Sequence, residues 1–128
     1  IVVSNTPFTA LYNDWSNNNI KDAASMFCSQ ETGSKIDILE AAIKEKYNKR
    51  KVLMIGDSPS DFYAARKNNI SFFPIIPGKE DHSWRFLQSK AISSFFSFEY
   101  KHNIEKKKIM EFESAINAKL NNNFLKFQ

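Results

Sequence analysis

The sequence predicts an α/β fold, a parallel sheet with helices on both faces. Three observations carry that expectation. Four short apolar or β-rich runs alternate with segments of helical spacing, and such alternation calls for parallel strands joined by crossovers. Residues 52–55 are apolar throughout, as in a strand buried on both faces. Capping residues stand at the strand-to-helix junctions, at Thr6-Pro7, Ser34 and Ser58-Pro59.

The first strand is expected over residues 1–4. Thr6 then reads as a helix cap with Pro7 at the first helical position, and Phe8, Leu11, Tyr12 and Trp15 follow on one apolar face. Asn17, Asn18 and Asn19 end that helix. Residues 24–29 read as the second strand, with Cys28 a small buried hydrophobe. A loop over residues 30–35 leads into a helix carrying Ile36, Leu39, Ala42, Ile43 and Tyr47, with Ser34 and Asp37 as a capping box. Lys35 is out of place in that first turn, where the helix dipole repels a cation by about 0.3–1 kcal/mol. An anionic partner would offset the penalty.

The third strand breaks at Gly56, and Asp57 follows at its C-terminal end. Ser58 caps the next helix, Pro59 opens it, and Asp61 completes a capping box. Asp61 therefore has a structural role, whereas Asp57 has less of one. Residues 71–76 form the fourth strand, which Pro74 places toward a sheet edge. Asp81 then reads as the cap of a helix with Trp84, Leu87, Ala91 and Phe95 on one face. A last helix over about residues 104–120 groups Ile109, Phe112, Ile116 and Leu120, with lysines 106–108 on its solvated face. Residues 121–128 are expected to fray.

Composition narrows the class. The chain has 128 residues, 42% hydrophobic and 25% charged, which suits one globular domain. No apolar run approaches the ~20 residues that span a bilayer, and no signal-peptide pattern is present. Cys28 is the single cysteine, so no intrachain disulfide can form and a reducing, cytoplasmic setting is expected. The formal charge of +4 gathers at the end, where six lysines face three glutamates from Tyr100 onward. Nucleic acid is therefore not expected as a partner, and neither is a membrane.

The strand, Gly56, Asp57 and Asp61 together resemble the fourth motif of the haloacid dehalogenase-like phosphohydrolases. The order of the other junctions is similar to that family as well. Its second motif is a strand ending in Ser or Thr, here Ser4 with Asn5 beside it, and its third is a lysine opening a helix, here Lys35. The resemblance covers roughly residues 1–90 and implies a Rossmann-like core. It implies that Ser4 and Asn5 bind phosphate and that Lys35 neutralises its charge. Asp57 would ligate Mg²⁺, and Asp61 would join it at the metal or orient Lys35 or a metal-bound water. Ser4, Lys35 and Asp57 should then converge, with Lys35 and Asp61 close enough to pair. A receiver domain has similar residues in another order, and a P-loop enzyme needs a Gly-rich loop absent here.

The departure from the family is its first motif. No Asp-x-Asp triplet occurs in the sequence, so the nucleophile and the central strand that carries it are missing. The chain resembles a core lacking its first strand, with residues 1–99 as the partial core domain. Residues 100–128 would be a helical, lysine-rich extension packed on it. The missing strand should lie between the strands ending at Ser4 and Ile55. The chain begins at Ile1 without methionine, so an upstream segment is expected to fill the gap. A strand swapped from another copy, or direct pairing of the first and third strands, would serve instead. The implied function is Mg²⁺-dependent hydrolysis of a small phosphorylated metabolite, this chain being inactive alone. The alternative is a non-catalytic binding or assembly module.

Overall fold

The computed structural model of the chain describes residues 1–44 and 46–125, the last five of them by backbone only. These residues are mixed α/β and divide into two compact units, Ile1–Lys46 and Tyr47–Gln128. Each unit holds one two-stranded sheet, and both sheets are parallel, as expected. Among the described residues, no helix is long and apolar enough to cross a membrane.

In the first unit β1 (Val2–Val3) lies beside β2 (Phe27–Cys28), with Val2 opposite Phe27 and Val3 opposite Cys28. The helix α1 (Phe8–Asn17) connects them, and α2 (Lys35–Ile43) follows a 3-10 turn at Gln30–Thr32. Leu11, Cys28, Ile38, Leu39 and Ile43 are buried, and Trp15 and Tyr12 set their rings edge-on to Phe27. Cys28 is the small buried hydrophobe expected of it.

Two local expectations about α1 and α2 are corrected. Thr6 does not cap α1; Pro7 is the N-cap and no side chain of the cap bonds back. The Phe8 N–H instead donates to the Glu31 carboxylate at 3.1 and 3.3 Å. A charge-assisted acceptor at the positive helix end outweighs a neutral hydroxyl, even 23 residues away along the chain. The Ser29 hydroxyl first, then the Glu31 and Phe8 N–H groups, hold the Glu31 carboxyl below the usual range. The second correction is Tyr47, which lies beyond the end of α2 and is exposed, while Ile38 takes the core position. Ser34 caps α2 by accepting from the Asp37 N–H at 3.2 Å, and its hydroxyl donates to the Asp37 carboxylate.

The second unit runs β3 (Leu53–Gly56), α3 (Pro59–Lys67), β4 (Ser71–Pro74), α4 (Glu80–Phe86), α5 (Ile92–Phe96) and α6 (Lys106–Leu125). A π-helical turn, Leu87–Ala91, joins α4 to α5, and a second one, Lys101–Glu105, leads into α6. β3 and β4 pair from Leu53 opposite Ser71 to Gly56 opposite Pro74. Phe73 and Ile75 gather with Leu87, Ala91, Tyr100 and Ile104 on one face of β4. On the other face Phe72 sits between Phe62 of α3 and Phe112 of α6.

The outer edge of β4 is closed by side chains. The Phe72 N–H donates to the Glu105 carboxylate at 2.7 Å, and the Tyr100 hydroxyl donates to the Phe72 carbonyl at 2.7 Å. Backbone groups of a strand alternate sides, so Pro74 faces the same way as Phe72, away from β3, and its missing N–H costs no ladder bond. The edge position expected from Pro74 is observed. Burial, and after it the Glu105 charge, push the Tyr100 phenol well above its usual range, so it stays a donor.

Five further expectations fail in this unit. The strand buried on both faces is β4, all four residues buried, rather than β3, where Ile55 is 38% exposed. Lys79, not Asp81, is the N-cap of α4, and Asp81 falls inside the first turn. Trp84 is 52% exposed because Ser83 takes the core position, its hydroxyl accepting from Ile76 N–H and donating to the Lys79 carbonyl. Lys108 is buried rather than solvated, its ammonium 2.8 Å from Glu111 and 4.2 Å from the Phe86 ring centroid. On α6, Phe112 is buried as expected but Leu120 is exposed. Of the end expected to fray, residues 126–128 lie outside the described residues, and the backbone of 121–125 continues α6.

Candidate functional site

Asp57 follows directly from the way β3 ends. Gly56 is the last residue of the strand, and its carbonyl accepts from Ile75 N–H at 2.8 Å. A Cβ at Gly56 would meet the Asp61 carboxyl group and Cβ at 2.5–2.6 Å, so only glycine lets α3 start this close to the strand. Ser58 caps the helix by accepting from Asp61 N–H, Pro59 occupies its first turn, and Asp61 reciprocates to the Ser58 N–H, as the sequence predicts.

The two acids divide sharply in character. Asp61 is 5% exposed, and its Oδ2 accepts from Asp57 N–H at 3.2 Å, Ser58 N–H at 3.1 Å and the Ser58 hydroxyl at 2.8 Å. It holds the turn. Asp57 is exposed, and its carboxylate makes no hydrogen bond or ion pair among the described residues. The structure therefore spends one carboxylate on the turn and leaves the other directed by it but uncommitted.

In the first unit Ser4 stands immediately after β1, half-buried, its N–H donating to the Cys28 carbonyl at 2.9 Å. Its hydroxyl accepts from Thr6 N–H at 3.1 Å, which leaves the O–H proton free to donate elsewhere. Asn5 is exposed in the same turn. The loop after β2 reaches this turn, because the Gln30 N–H donates to the Thr6 carbonyl at 3.1 Å. That loop ends in the Ser34 cap, and half-buried Lys35 opens α2. Ser4, Asn5 and Lys35 thus come from two connected loops at the C-terminal edge of the β1–β2 sheet. Asp57 and Asp61 come from the C-terminal edge of the β3–β4 sheet.

The two edges carry different donor sets. A hydroxyl, an amide and an ammonium belong to the first unit and suit phosphate oxygens. An exposed carboxylate belongs to the second and suits Mg²⁺, which binds through one or two carboxylates and otherwise keeps water and phosphate oxygens. Among the described residues, no group of three His, Cys, Asp or Glu side chains gathers to hold a metal on protein ligands alone. Glu31 and Glu105 carry no local signal in the sequence, because Phe8 and Phe72 lie 23 and 33 residues away; Ser83 bonds to Ile76 and Lys79 in the loop and cap just before it. No family model, no curated protein and no solved structure matches the chain.

Proposed function

We propose that this chain is the greater part of a phosphohydrolase core of the haloacid dehalogenase-like kind, acting on a small phosphorylated metabolite with Mg²⁺. The observation that carries the reading is the strand pairing. The resemblance requires two parallel pairs with a central strand between them, and the chain has two such pairs, β1–β2 and β3–β4. Each pair has an open edge on the required strand. Val2 and Ser4 turn their N–H groups to β2, so Val3 faces away from it. The Gly56 carbonyl accepts from Ile75 just past β4, so Leu53 and Ile55 face the opposite side, where the described residues of this unit supply no third strand. The outer edge of β4 is already closed by Tyr100 and Glu105.

In this reading Ser4 and Asn5 donate to the phosphoryl oxygens, and Lys35 offsets their charge as that charge grows in the transition state. Asp57 would hold Mg²⁺ through an uncommitted carboxylate, with Asp61 fixing the turn beneath it. Bound there, Mg²⁺ would neutralise phosphate charge and orient the ester. The nucleophile would come from outside these 128 residues, on the strand that fills the gap. The chain alone should show no turnover of an aryl phosphate, since nothing in it forms the covalent intermediate.

The second reading, a non-catalytic binding or assembly module, is favoured by the absence of an Asp-x-Asp triplet. Metal binding separates the two. Mn²⁺ standing in for Mg²⁺ should broaden the amide resonances of residues 56–60, and Asp57→Asn should abolish the broadening without changing the melting temperature. Broadening that survives Asp57→Asn, or that centres on Glu111 and Glu113, would sink the phosphohydrolase reading.

A further inference from the structure

Three helices of this protein end in the same backbone turn, and one of them ends in it at a cost. After α1 the Asn19 and Ile20 N–H groups close back on Ser16 and Trp15, and Asn19 has φ 57°. After α3 the Asn69 and Ile70 N–H groups close on Arg66 and Ala65, and Asn69 has φ 55°. After α5 the Phe98 and Glu99 N–H groups close on Phe95 and Ser94, and the left-handed residue is Phe98, φ 62°. Glycine or asparagine suits that position, whereas a bulky side chain there is strained. Backbone strain of this kind concentrates where a side chain is needed in one place.

The strained turn presents the Phe98 ring to Arg50. The guanidinium carbon lies 4.9 Å from the ring centroid, joining the basic run at Lys49–Lys51 to a turn 48 residues later. Beside this pair is a recess of about 60 Å³, room for a few waters or one tetrahedral oxyanion. Arg50, Lys101 and His102 line it with Ser71, Phe95 and Phe98, and the Tyr100 ring completes the wall. Among the described residues no carboxylate lines it. The Tyr100 hydroxyl is committed to the Phe72 carbonyl, so the polar groups available to a ligand are donors and cations.

We propose that this recess is a binding site for a phosphate group, separate from the candidate active site. Arg50 and Lys101 supply the charge, His102 and the Ser71 hydroxyl supply further hydrogen bonds, and Phe98 holds the guanidinium plane. Ser71 begins β4 and Arg50 precedes β3, so the recess belongs to the N-terminal end of the β3–β4 sheet. Asp57 lies past the other end of β3, roughly 13 Å away for a four-residue strand. A phosphate here would not meet the machinery at Asp57. The ligand is free phosphate or the phosphate of a small metabolite, and its role is to tie the turn after α5 to the turn before β3.

Orthophosphate titrated into the full chain without divalent metal tests this by amide and side-chain chemical shifts. Shifts should centre on Arg50, Ser71, Lys101 and His102 and saturate in the millimolar range. Arg50→Gln or Lys101→Gln should weaken binding about tenfold, the loss of one charge-assisted hydrogen bond. Phe98→Asn keeps the turn and every charge but removes the ring, and it should still weaken binding severalfold. A nucleoside monophosphate arm separates the sources: equal affinity assigns free phosphate, and tighter binding with the same central shifts assigns a phosphorylated metabolite. Three results would overturn the proposal. One is shifts confined to residues 56–60 or absent; another is unaltered binding by Phe98→Asn. The third is a single-stranded oligonucleotide that binds far more tightly than either small ligand, with shifts spread along Lys49–Lys51.

Discussion

Gly56→Ala is expected to lower stability by about 2–4 kcal/mol, the sum of overpacking and a lost helix cap. The added Cβ would fall 2.5 Å from the Asp61 Cβ and Oδ2, inside any real contact distance. Asp61 must then move, and its bonds to the Asp57 N–H, Ser58 N–H and Ser58 hydroxyl go with it. Burial makes the loss worse, because Asp61 is 5% exposed and water cannot readily take over as partner. Denaturant unfolding measures the change, and a loss below about 0.5 kcal/mol would mean that the turn tolerates a side chain. The same substitution should misplace Asp57, so Mn²⁺ broadening should weaken in molecules that remain folded.

Glu105→Ala should cost about 2–3 kcal/mol, since it strips a charge-assisted acceptor from a buried N–H. Phe72 is fully buried, and the Glu105 carboxylate is the partner that its N–H finds, at 2.7 Å. Glu105→Gln keeps an amide oxygen in place and should lose about half as much. Tyr100→Phe removes only the donor to the Phe72 carbonyl and should cost about 1 kcal/mol. If Glu105→Ala and Glu105→Gln were equally mild, the carboxylate would not be what closes the edge of β4. The wider consequence concerns association. With Glu105 gone, β4 offers an open edge to other chains, so soluble aggregates should rise along with the stability loss.

The parts of this fold that were legible in the sequence are those whose cause is local. The Ser58, Pro59 and Asp61 cap lies within four residues and is present as expected. Pro74 marks an edge strand because its own missing N–H forbids a central one. The parallel pairing follows from strands separated by helices. What was not legible depends on tertiary partners that no local pattern announces, most of them distant along the chain. Glu31 reaches α1 across 23 residues and displaces Thr6 as the cap, and Glu105 reaches β4 across 33. Ser83 looks like a surface residue and Trp84 like a core one, yet Ser83 is buried because the Ile76 N–H needs its hydroxyl. Lys108 sits in a run of three lysines and is the one laid against Phe86. At the candidate site, the strand end at Asp57 and the capping role of Asp61 are both legible locally, and the structure adds that Asp61 Oδ2 also accepts from the Asp57 N–H.

The central proposal is that the Asp57 carboxylate, left uncommitted while Asp61 holds the turn, takes a divalent cation. A Mg²⁺ titration of the full chain followed by amide shifts tests it most directly. The account predicts one saturating curve centred on residues 56–60, lost in Asp57→Asn. Shifts that survive Asp57→Asn, or that centre elsewhere in the chain, would contradict it.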